Sequence, residues 1–525
     1  MNSALSLLLS LLVSVSYCYS PCARRYVRGE SQPEFMVCVC NATYCDDFPP
    51  LGTLDANSAA VYISSSVGQR FERSTVTWTQ KTDKSSQKEG KLVVQKPVSI
   101  DPSVRMQTIL GFGGAFTDAA GINIASLDSA TQEFLMQSYY GPNGIQYSMG
   151  RTPMASCDFS THEYSYDDYS GDFALQNFSL TTEDYQYKIP YIKRAMALTG
   201  GDLKLFASPW SAPGWMKTNG HMKGGGKLKG FPGGIYDHTW AQYFVRYLEE
   251  YNKNGINFWG MTMQNEPTTG IDVNFGWQTM YFNAQSERDF IKNVLGPALQ
   301  NSTLGKNVML MTMDDQRSNL PDWADVVFSD PVANSFTPGV AVHWYQDRES
   351  QDTLLNLTHY KWPNKFLLYT EACIDQGGPN LGEWARADDY SHDIVKDLNN
   401  WVSGWTDWNI ALNMQGGPNW VNNVVDAPIL IDASKGEFYK QPMYYIMGHF
   451  SKFIRPNSVR VGLTMASTDQ VAGVAFVTPT NQRVLVVRNS NLFETDELMI
   501  TIPDRPGQVL RVTLEPETIA TIVWN

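Results

Sequence analysis

The sequence predicts an α/β fold, a (β/α)8 TIM barrel flanked by β-rich segments at both ends of the chain. Short apolar strands alternate with longer amphipathic segments from about residue 106 to about residue 408. Most of these strands end in polar or aromatic residues, which is typical of the carboxyl rim of a barrel enzyme. The segments on either side alternate apolar and polar residues instead, as antiparallel strands do.

The first 20 residues have the pattern of a secretory signal peptide. Their apolar stretch, Leu5 to Val15, is too short to span a bilayer and is followed by small residues. Cleavage could follow Ser16, Cys18 or Ser20. No other run reaches the length of a membrane span, so we predict an exported chain with no transmembrane segment.

The next segment carries a cluster of cysteines and the first of four glycosylation sequons. In an exported chain the cluster predicts two disulfides with three possible pairings. A zinc knuckle is the competing interpretation, and oxidising export disfavours it. The clustered cysteines are Cys22, Cys38, Cys40 and Cys45. The sequons, which predict surface glycosylation, begin at Asn41, Asn177, Asn301 and Asn356.

The β-rich ends share one pattern of alternating residues. The N-terminal strand candidates are VYISSS, STVTWTQ and KLVVQ, between 51 and about 105. The C-terminal candidates are VAGVAFVTP, RVLVVRNS, LMITIP and TIATIVWN. Two similar ends around a different middle predict one sandwich that is built from both termini.

The barrel region supplies six clear strand candidates and two long amphipathic segments. The strand candidates are LKLFASP, FWGMTMQN, NVMLMTMDD, GVAVHWY, KFLLYTE and WTDWNIALN. The amphipathic segments are TWAQYFVRYLEEYNKN and ERDFIKNVLGPALQ. The apolar spacing of these two segments predicts helices between the strands.

Two glutamates lie at strand ends in similar surroundings. Glu266 follows an apolar strand that Pro267 ends, and Glu371 lies 105 residues later, where KFLLYTE runs into a Gly-rich loop. One strand-helix unit of a barrel takes about 31 residues, so the glutamates are about three units apart and can face each other across the barrel mouth. Glycoside hydrolysis needs this arrangement, because one carboxyl protonates the leaving oxygen while the other attacks the sugar or activates water.

Several other functions find no support in the sequence. The net charge of −13 disfavours nucleic acid as a partner. GFGGAFTDAAG lacks the third glycine of a dinucleotide fingerprint, and GGGKLKG lacks the Ser or Thr that a phosphate loop needs after its Lys. We interpret the first stretch as a tight turn that carries Asp118 into the barrel mouth. The seven histidines show no ligand spacing, so neither a metal nor another cofactor is predicted.

Ten blocks in order resemble the acid β-glucosidases (glucocerebrosidases) of glycoside hydrolase family 30, from about Cys22 to the C-terminus. They are GFGGAFTDAA, RTPMASCDFS, LFASPWSAPGWMKTNG, NEP, MDDQR, VAVHWY, TEAC, GWTDWNIALN, GGPNWV and YKQPMYYIMGHFSKFI. The resemblance implies Glu266 as acid/base and Glu371 as nucleophile of a retaining hydrolysis of glucosylceramide. It also implies substrate-binding roles for Asp118, Trp210, Asn265, Phe282, Gln316, Tyr345, Trp408 and Asn423.

The resemblance further implies how the chain divides into domains. The expected units are a signal peptide at 1–20, a small disulfide-bonded antiparallel β domain from 21–50 plus 410–441, an immunoglobulin-like sandwich from 51–105 plus 458–525, and the barrel from 106–409 plus 442–457. The family also implies a lysosomal destination, a saposin-type activator protein and an anionic lipid surface. A secreted destination is the alternative.

Two alternative functions remain open from the sequence. One is a relative that acts on another sugar, such as a β-xylosidase or a β-1,6-glucanase. The other is a catalytically silent glycolipid-binding protein. The chain departs from the family pattern at Met263-Gln264, at Thr279 and in the loop 375–383, all of which concern the entrance to the site.

Overall fold

The computed structural model describes residues 19–82, 93–466, 468 and 470–525. Residues 1–18 of the predicted signal peptide lie outside these ranges. Lys91 and Leu92, the first two residues of KLVVQ, also lie outside them.

The strands are numbered in chain order. They are β1 Arg24–Tyr26, β2 Met36–Cys40, β3 Ser58–Ser65, β4 Glu72–Thr77, β5 Thr79–Gln80, β6 Val93–Thr108, β7 Gly111–Ala115, β8 Met149–Met154, β9 Lys204–Pro209, β10 Gly260–Thr262, β11 Met309–Gln316, β12 Gly339–His343, β13 Phe366–Glu371, β14 Val402–Asn409, β15 Leu412–Asn413, β16 Ile429–Asp432, β17 Glu437–Lys440, β18 Val459–Met465, β19 Val471–Val477, β20 Arg483–Asn489, β21 Thr495–Thr501, β22 Gln508–Leu514 and β23 Thr518–Trp524.

The α-helices are numbered in the same way. They are α1 Asp118–Ala125, α2 Ser129–Tyr140, α3 Ile189–Leu198, α4 Ile235–Lys253, α5 Ala284–Phe290, α6 Gly296–Asn301, α7 Asp322–Phe328, α8 Pro331–Phe336, α9 Thr353–Lys361, α10 Trp384–Asn399 and α11 Pro442–Ser451. Short π-helical segments occur at Asp184–Lys188 and Ile291–Leu295, and 3-10 turns occur at Gly214–Met216, Pro267–Ile271, Gly305–Asn307 and Arg317–Asn319.

Eight parallel strands, β7 to β14, form the closed barrel that the sequence predicts, and β14 pairs with β7 to close it. Both predicted amphipathic segments are helical: the first lies in α4, and the second runs through α5, a π segment and α6. Glu266 follows the fourth barrel strand and Glu371 ends the seventh. The three-unit spacing inferred from 105 residues is therefore confirmed.

The strand before Glu266 is shorter than predicted. It covers only Gly260–Thr262, because the chain then crosses the rim of the barrel between its two neighbours. The Asn265 amide donates to the carbonyl of Pro209 at 2.9 Å, and the Glu266 amide donates to the carbonyl of Asp314 at 2.9 Å. These bonds hold the chain across the rim.

The interpretation of GFGGAFTDAAG as a tight turn was wrong, because its first five residues form barrel strand β7. A Cβ atom added at Gly113 would lie 2.2 Å from the carbonyl oxygen of Met149, so glycine is needed here for close approach to β8 rather than for a turn. The Thr117 side chain then caps α1 by accepting from the Ala120 amide. Asp118 consequently opens a helix.

Two further sheets accompany the barrel. A five-stranded sheet has the order β1-β2-β17-β16-β15, and the disulfides Cys22–Cys38 and Cys40–Cys45 hold its N-terminal part. This pairing is one of the three that the sequence allowed. A ten-stranded sheet combines β3 to β6 with β18 to β23 around an apolar core of its own, so both ends of the chain contribute strands to it.

Candidate active site

A cavity of about 320 Å³ lies at the carboxyl end of the barrel strands. It contains eight of the ten residues that the sequence analysis singled out for catalysis and substrate binding: Trp210, Asn265, Glu266, Gln316, Tyr345, Glu371, Trp408 and Asn423. Phe159, Phe275, Trp277 and Cys373 are among the other lining residues. A pocket with four carboxyl groups, several amides and several aromatic rings is suited to a sugar.

The structure does not bring Asp118 into this cavity. Its carboxylate is buried on α1, where it lies 3.1 Å from Nζ of Lys188 and accepts from the Tyr164 hydroxyl at 2.9 Å. Asp158, which the sequence analysis did not name, lines the cavity and accepts a 2.7 Å hydrogen bond from Nδ2 of Asn423.

Phe282, the second residue outside the cavity, packs against Phe290 with ring centroids 5.8 Å apart. Its side chain is buried in the apolar core instead of facing the cavity.

Glu266 is held in an uncommon backbone conformation. Its φ of 41° lies in the left-handed region, which costs about 1–3 kcal/mol for a residue other than glycine and is concentrated at functional sites. Its Oε1 atom accepts from Nε2 of Gln316 at 3.0 Å and contacts Nδ1 of His343 at 3.2 Å. The bent chain and these two partners fix the carboxylate toward the cavity.

Arg151 lies behind Glu371. This arginine is fully buried, and its guanidinium donates to Oε2 of Glu371, to Oδ1 of Asn265 at 2.8 Å and to Oδ2 of Asp314 at 3.0 Å. The Tyr345 hydroxyl donates to the other Glu371 oxygen, Oε1, at 2.8 Å. Burial raises the pKa of Glu371, and the positive charges of Arg151 and of a neighbouring histidine act against that rise.

That histidine, His343, connects Glu266 to Asp314. Its Nε2 atom lies 3.1 Å from Oδ1 of Asp314. Burial alone lowers the pKa of His343, but the charges of Glu371 and Asp314 outweigh burial and raise it to about 10. The imidazole is therefore positively charged at neutral pH, and both ring nitrogens are donors. Arg151 and His343 together supply two positive charges to the carboxylates at the cavity floor.

Two indole rings form one wall of the cavity. Trp210 and Trp408 stack with ring centroids 5.2 Å apart. The Arg151 guanidinium carbon lies 4.9 Å from the first ring centroid and 5.3 Å from the second, within the range of a cation–π contact. The arginine therefore fixes the aromatic wall as well as the carboxylate.

The same residues include a set of possible metal ligands. One atom each from Glu266, His343 and Glu371 can be chosen so that the three atoms lie within 4.8 Å of one another. The two carboxylates therefore approach each other at the cavity floor. A charged imidazole is not a metal ligand, so the protonated His343 fits a metal poorly.

Asp158 gives the protein a specific pH response. Burial raises the pKa of Asp158 to about 7, and the hydrogen bond from Asn423 acts against this rise. In the unfolded chain an aspartate has a pKa of about 3.9. The folded state therefore binds the proton more tightly, and the free energy of unfolding falls as the pH rises from about 4 to about 7.

We expect the Asp158→Asn variant to lose this part of the pH dependence, because asparagine is neutral at every pH. Between about pH 4.5 and about pH 7.5, the thermal midpoint of the wild type should fall by at least about 2 °C more than that of the variant. Differential scanning fluorimetry across a pH series measures both slopes. Parallel slopes would show that Asp158 does not titrate in this range.

Comparison with protein families matches residues 109–454 to the glycosyl hydrolase family 30 TIM-barrel domain and residues 457–522 to the family 30 β-sandwich domain. The chain belongs to glycoside hydrolase family 30. It is a glycosidase with a TIM barrel and a β-sandwich, as the sequence analysis predicts.

Individual relatives agree with the family match. The chain is 46% identical to putative glucosylceramidase 4 of Caenorhabditis elegans, over 99% of this chain and 100% of that protein. It is 42% identical to the lysosomal acid glucosylceramidase of Mus musculus, over 98% of this chain and 97% of that protein. Among solved structures, SrfJ from Salmonella typhimurium superposes with a TM-score of 0.80 at 29% identity, covering 89% of this chain and 99% of that one.

The four sequons of this family 30 glycosidase differ in exposure. Asn177 and Asn301 are exposed, whereas Asn41 and Asn356 are partly buried. The Asn356 amide nitrogen donates to Oδ1 of Asn400, so the atom that would carry a glycan is engaged.

Within the part of the chain that the structure describes, the helices are too short or too polar to span a bilayer.

Proposed function

We propose that this family 30 enzyme is a retaining β-glucosidase that hydrolyses glucosylceramide to glucose and ceramide. The observation that carries the proposal is the approach of Glu266 and Glu371 in one cavity, where chosen atoms of the two side chains lie within 4.8 Å. Retaining enzymes keep their carboxyl groups about 5–5.5 Å apart, because one of them attacks the sugar directly.

In the first step, Glu371 attacks the anomeric carbon while the bond from that carbon to the aglycone oxygen breaks. Glu266 gives its proton to the departing oxygen, which leaves as the ceramide hydroxyl. In the second step, the Glu266 carboxylate takes a proton from water, and the water oxygen displaces Glu371 from the anomeric carbon. Glucose leaves with its β configuration retained, and both glutamates return to their starting states.

The charges around Glu371 support its role as nucleophile. Arg151 and His343 favour the ionised carboxylate that must attack, and Tyr345 donates a hydrogen bond to it. These groups also stay in place when the carboxylate loses its charge in the ester intermediate. Because they are fixed before the reaction, they need no reorganisation as charge shifts.

The remaining polar groups support recognition of a glucose ring. Oδ1 of Asn265 accepts a hydrogen bond from Arg151, which leaves the amide nitrogen Nδ2 to donate to the 2-hydroxyl of glucose. Asp158 and Asn423 are paired on the cavity wall and can bind hydroxyls farther along the ring. Trp210 and Trp408 offer apolar faces to the sugar. We assign Asp158 the role that the sequence analysis gave to Asp118.

The outer rim of the cavity supports a lipid aglycone. Phe275 and Trp277 line the cavity, and the same loop exposes Ile271 and Val273, with 72% and 74% of their surfaces in contact with solvent. Exposed apolar side chains beside a site suit contact with a membrane. The named relatives are glucosylceramidases, which supports ceramide as the aglycone. We infer a lysosomal location, an anionic lipid surface and a saposin-type activator as the setting.

We expect the double variant Ile271→Ser, Val273→Ser to hydrolyse glucosylceramide in anionic vesicles at least about tenfold more slowly than the wild type. Burying each apolar side chain in a lipid surface is worth about 1.5–3 kcal/mol, and serine removes that contribution. Hydrolysis of a soluble aryl β-glucoside should not change, because these residues lie outside the sugar pocket. Glucose release from both substrates, with β-galactosides and β-xylosides in parallel, measures the effect and the sugar preference.

A matched control replaces an exposed apolar pair that does not line the cavity. Leu492 and Phe493 are 61% and 89% exposed in the loop between β20 and β21. The variant Leu492→Ser, Phe493→Ser should retain the wild-type rate on vesicles.

Preference for the xyloside, or activity on glucans with no action on glucosylceramide, would point to another sugar specificity. A folded protein that binds glucosylceramide without turnover would be a glycolipid-binding protein.

A further inference from the structure

Three aspartates, two of them buried and one partly buried, lie together outside the candidate active site. Asp347 is in the loop after β12, and Asp393 and Asp397 are one turn apart on α10. One carboxylate oxygen from each can be chosen so that the three atoms lie within 4.8 Å of one another. Arg317, Asp347 and Asp393 line a cavity of about 580 Å³, so the cluster can be reached from solvent. We call Asp347, Asp393 and Asp397 the aspartate triad.

Two oxygens of the aspartate triad lack a hydrogen-bond partner. Oδ1 of Asp347 and Oδ2 of Asp397 are buried and have no hydrogen-bond partner, and the Asp397 side chain has no exposed surface. The opposite Asp347 oxygen, Oδ2, is already bonded by the Tyr369 hydroxyl at 2.5 Å. Buried polar atoms normally have partners, so two unpaired carboxylate oxygens in one cluster require either protons or a cation between the carboxyls.

Arg317 is the cation that pairs with the aspartate triad. Its Nη1 atom lies 3.0 Å from Oδ2 of Asp347 and 3.4 Å from Oδ1 of Asp397. Its Nη2 atom donates to the backbone carbonyls of Asp347 and Ser350. The guanidinium therefore faces one side of the cluster and does not reach the two unpaired oxygens.

The charges of this cluster do not balance. With all three carboxylates ionised, the aspartate triad and one guanidinium would sum to −3 + 1 = −2. Burial raises the pKa of each of the three aspartates, so protons reduce this charge when no cation is bound. Two other cationic side chains line the same cavity, but Arg348 pairs with Asp389 at 2.7 Å, and Lys396 forms no ion pair with the triad among the residues described. A buried charge of this size is strongly unfavourable unless another charge compensates it.

We propose that the aspartate triad binds a hard divalent cation, with Ca²⁺ as the best match. A divalent ion would replace the protons, balance the charge of −2 of the ionised cluster and give the two unpaired oxygens a ligand. Carboxylate oxygens are the ligands that hard cations prefer. Three oxygens within 4.8 Å of one another can contact a single ion. Ca²⁺ is a better match than Mg²⁺ because it accepts an irregular shell of protein oxygens, whereas Mg²⁺ usually keeps several waters.

The bound cation would connect two parts of the barrel. Asp347 belongs to the loop after β12, and the other two ligands belong to α10. Tyr345, two residues before Asp347, donates its hydroxyl to Glu371. A cation that ties this loop to α10 would therefore stabilise the fold and hold Tyr345 in place. The triad itself does not touch the reacting atoms, so its role toward catalysis would be positional.

The test uses the full-length protein after removal of divalent ions with a chelator and gel filtration. Adding CaCl₂ should raise the thermal midpoint of the wild type saturably, by about 2–5 °C. The double variant Asp393→Asn, Asp397→Asn should show no such rise. Terbium provides an independent readout, because Trp405 donates to Asp393 at 3.2 Å and can sensitise the luminescence of an ion bound beside it.

Controls separate a specific site from loss of charge. The variant Asp289→Asn, Asp322→Asn removes two charges from surface positions and should respond to Ca²⁺ like the wild type. If the triad double variant fails to fold, each single variant should show a weaker calcium response. No midpoint rise in the wild type, or an equal rise in the triad variants, would overturn the proposal. So would a midpoint that depends on pH but not on Ca²⁺, because protons would then neutralise the cluster.

Discussion

We expect the Glu371→Gln variant to hydrolyse an aryl β-glucoside roughly 10⁴-fold more slowly than the wild type, or worse. Glutamine keeps the shape of the side chain and its hydrogen-bonding capacity toward Tyr345, but it cannot form the ester with the anomeric carbon. The loss should appear in kcat more than in KM, because the sugar contacts of the cavity remain. Initial rates over a range of substrate concentrations separate these two parameters.

Folding must be monitored in this variant, because the substitution takes a negative charge from the buried Arg151. This arginine keeps Asp314 as an ionised partner at 3.0 Å. Burial raises the pKa of Asp314, but the charges of Arg151 and His343 outweigh burial and lower it. The variant should therefore fold. Glu249→Gln on the surface of α4 is a matched control, and its rate should equal that of the wild type. Near-wild-type turnover by Glu371→Gln would refute the assignment of the nucleophile.

We expect the effect of Glu266→Gln to depend on the leaving group. For glucosides with a poorly activated leaving group, the rate should fall by about 10²–10⁴-fold, because no acid protonates the departing oxygen. A dinitrophenyl glucoside needs little protonation, so its first step should be nearly unaffected. The second step then lacks a base, and the glucosyl-enzyme should accumulate. Pre-steady-state kinetics should show a burst of dinitrophenolate followed by slow turnover.

Azide tests the same assignment by a second route. This anion needs no base, so it can attack the accumulated intermediate of Glu266→Gln from the side that water normally uses. We expect azide to accelerate turnover and to yield the β-glucosyl azide. Acceleration with the α product would place the attack on the other face, and an equal loss for all leaving groups would contradict the acid/base role of Glu266.

The sequence predicted the barrel and both glutamates because each depends on local signals. An apolar run that ends in Asn-Glu-Pro or Thr-Glu-Ala identifies a strand tip, and the spacing of 105 residues then places the two tips three strands apart. The same approach failed for Asp118. Thr117 caps the helix, so Asp118 lies in its first turn. The Asp118 carboxylate forms an ion pair with Lys188.

Other site residues depend on contacts between distant parts of the chain. Arg151 is a charged residue inside the buried strand MGRTPM, which is a visible signal, but its hydrogen-bond partners lie 57 to 220 residues away. In the sequence, His343 is recognisable only as a polar residue at the end of a predicted strand. Asp158 follows a turn in which Ala155 has a φ of 70°. No sequence pattern predicts the direction that the chain takes after this turn. The aspartate triad is equally hidden, because Asp347 meets α10 only in the folded barrel.

The measurement that tests the central claim most directly is covalent trapping with 2-deoxy-2-fluoro-β-glucosyl fluoride. The fluorine at the 2-position slows both steps, and the fluoride leaving group allows only the first to proceed. Mass spectrometry of the intact protein should show one added fluoroglucosyl group, and peptide mapping should locate it on Glu371. A label on Glu266 or another residue, or rapid turnover of β-glucosides by protein that never takes the label, would contradict a retaining mechanism with Glu371 as nucleophile.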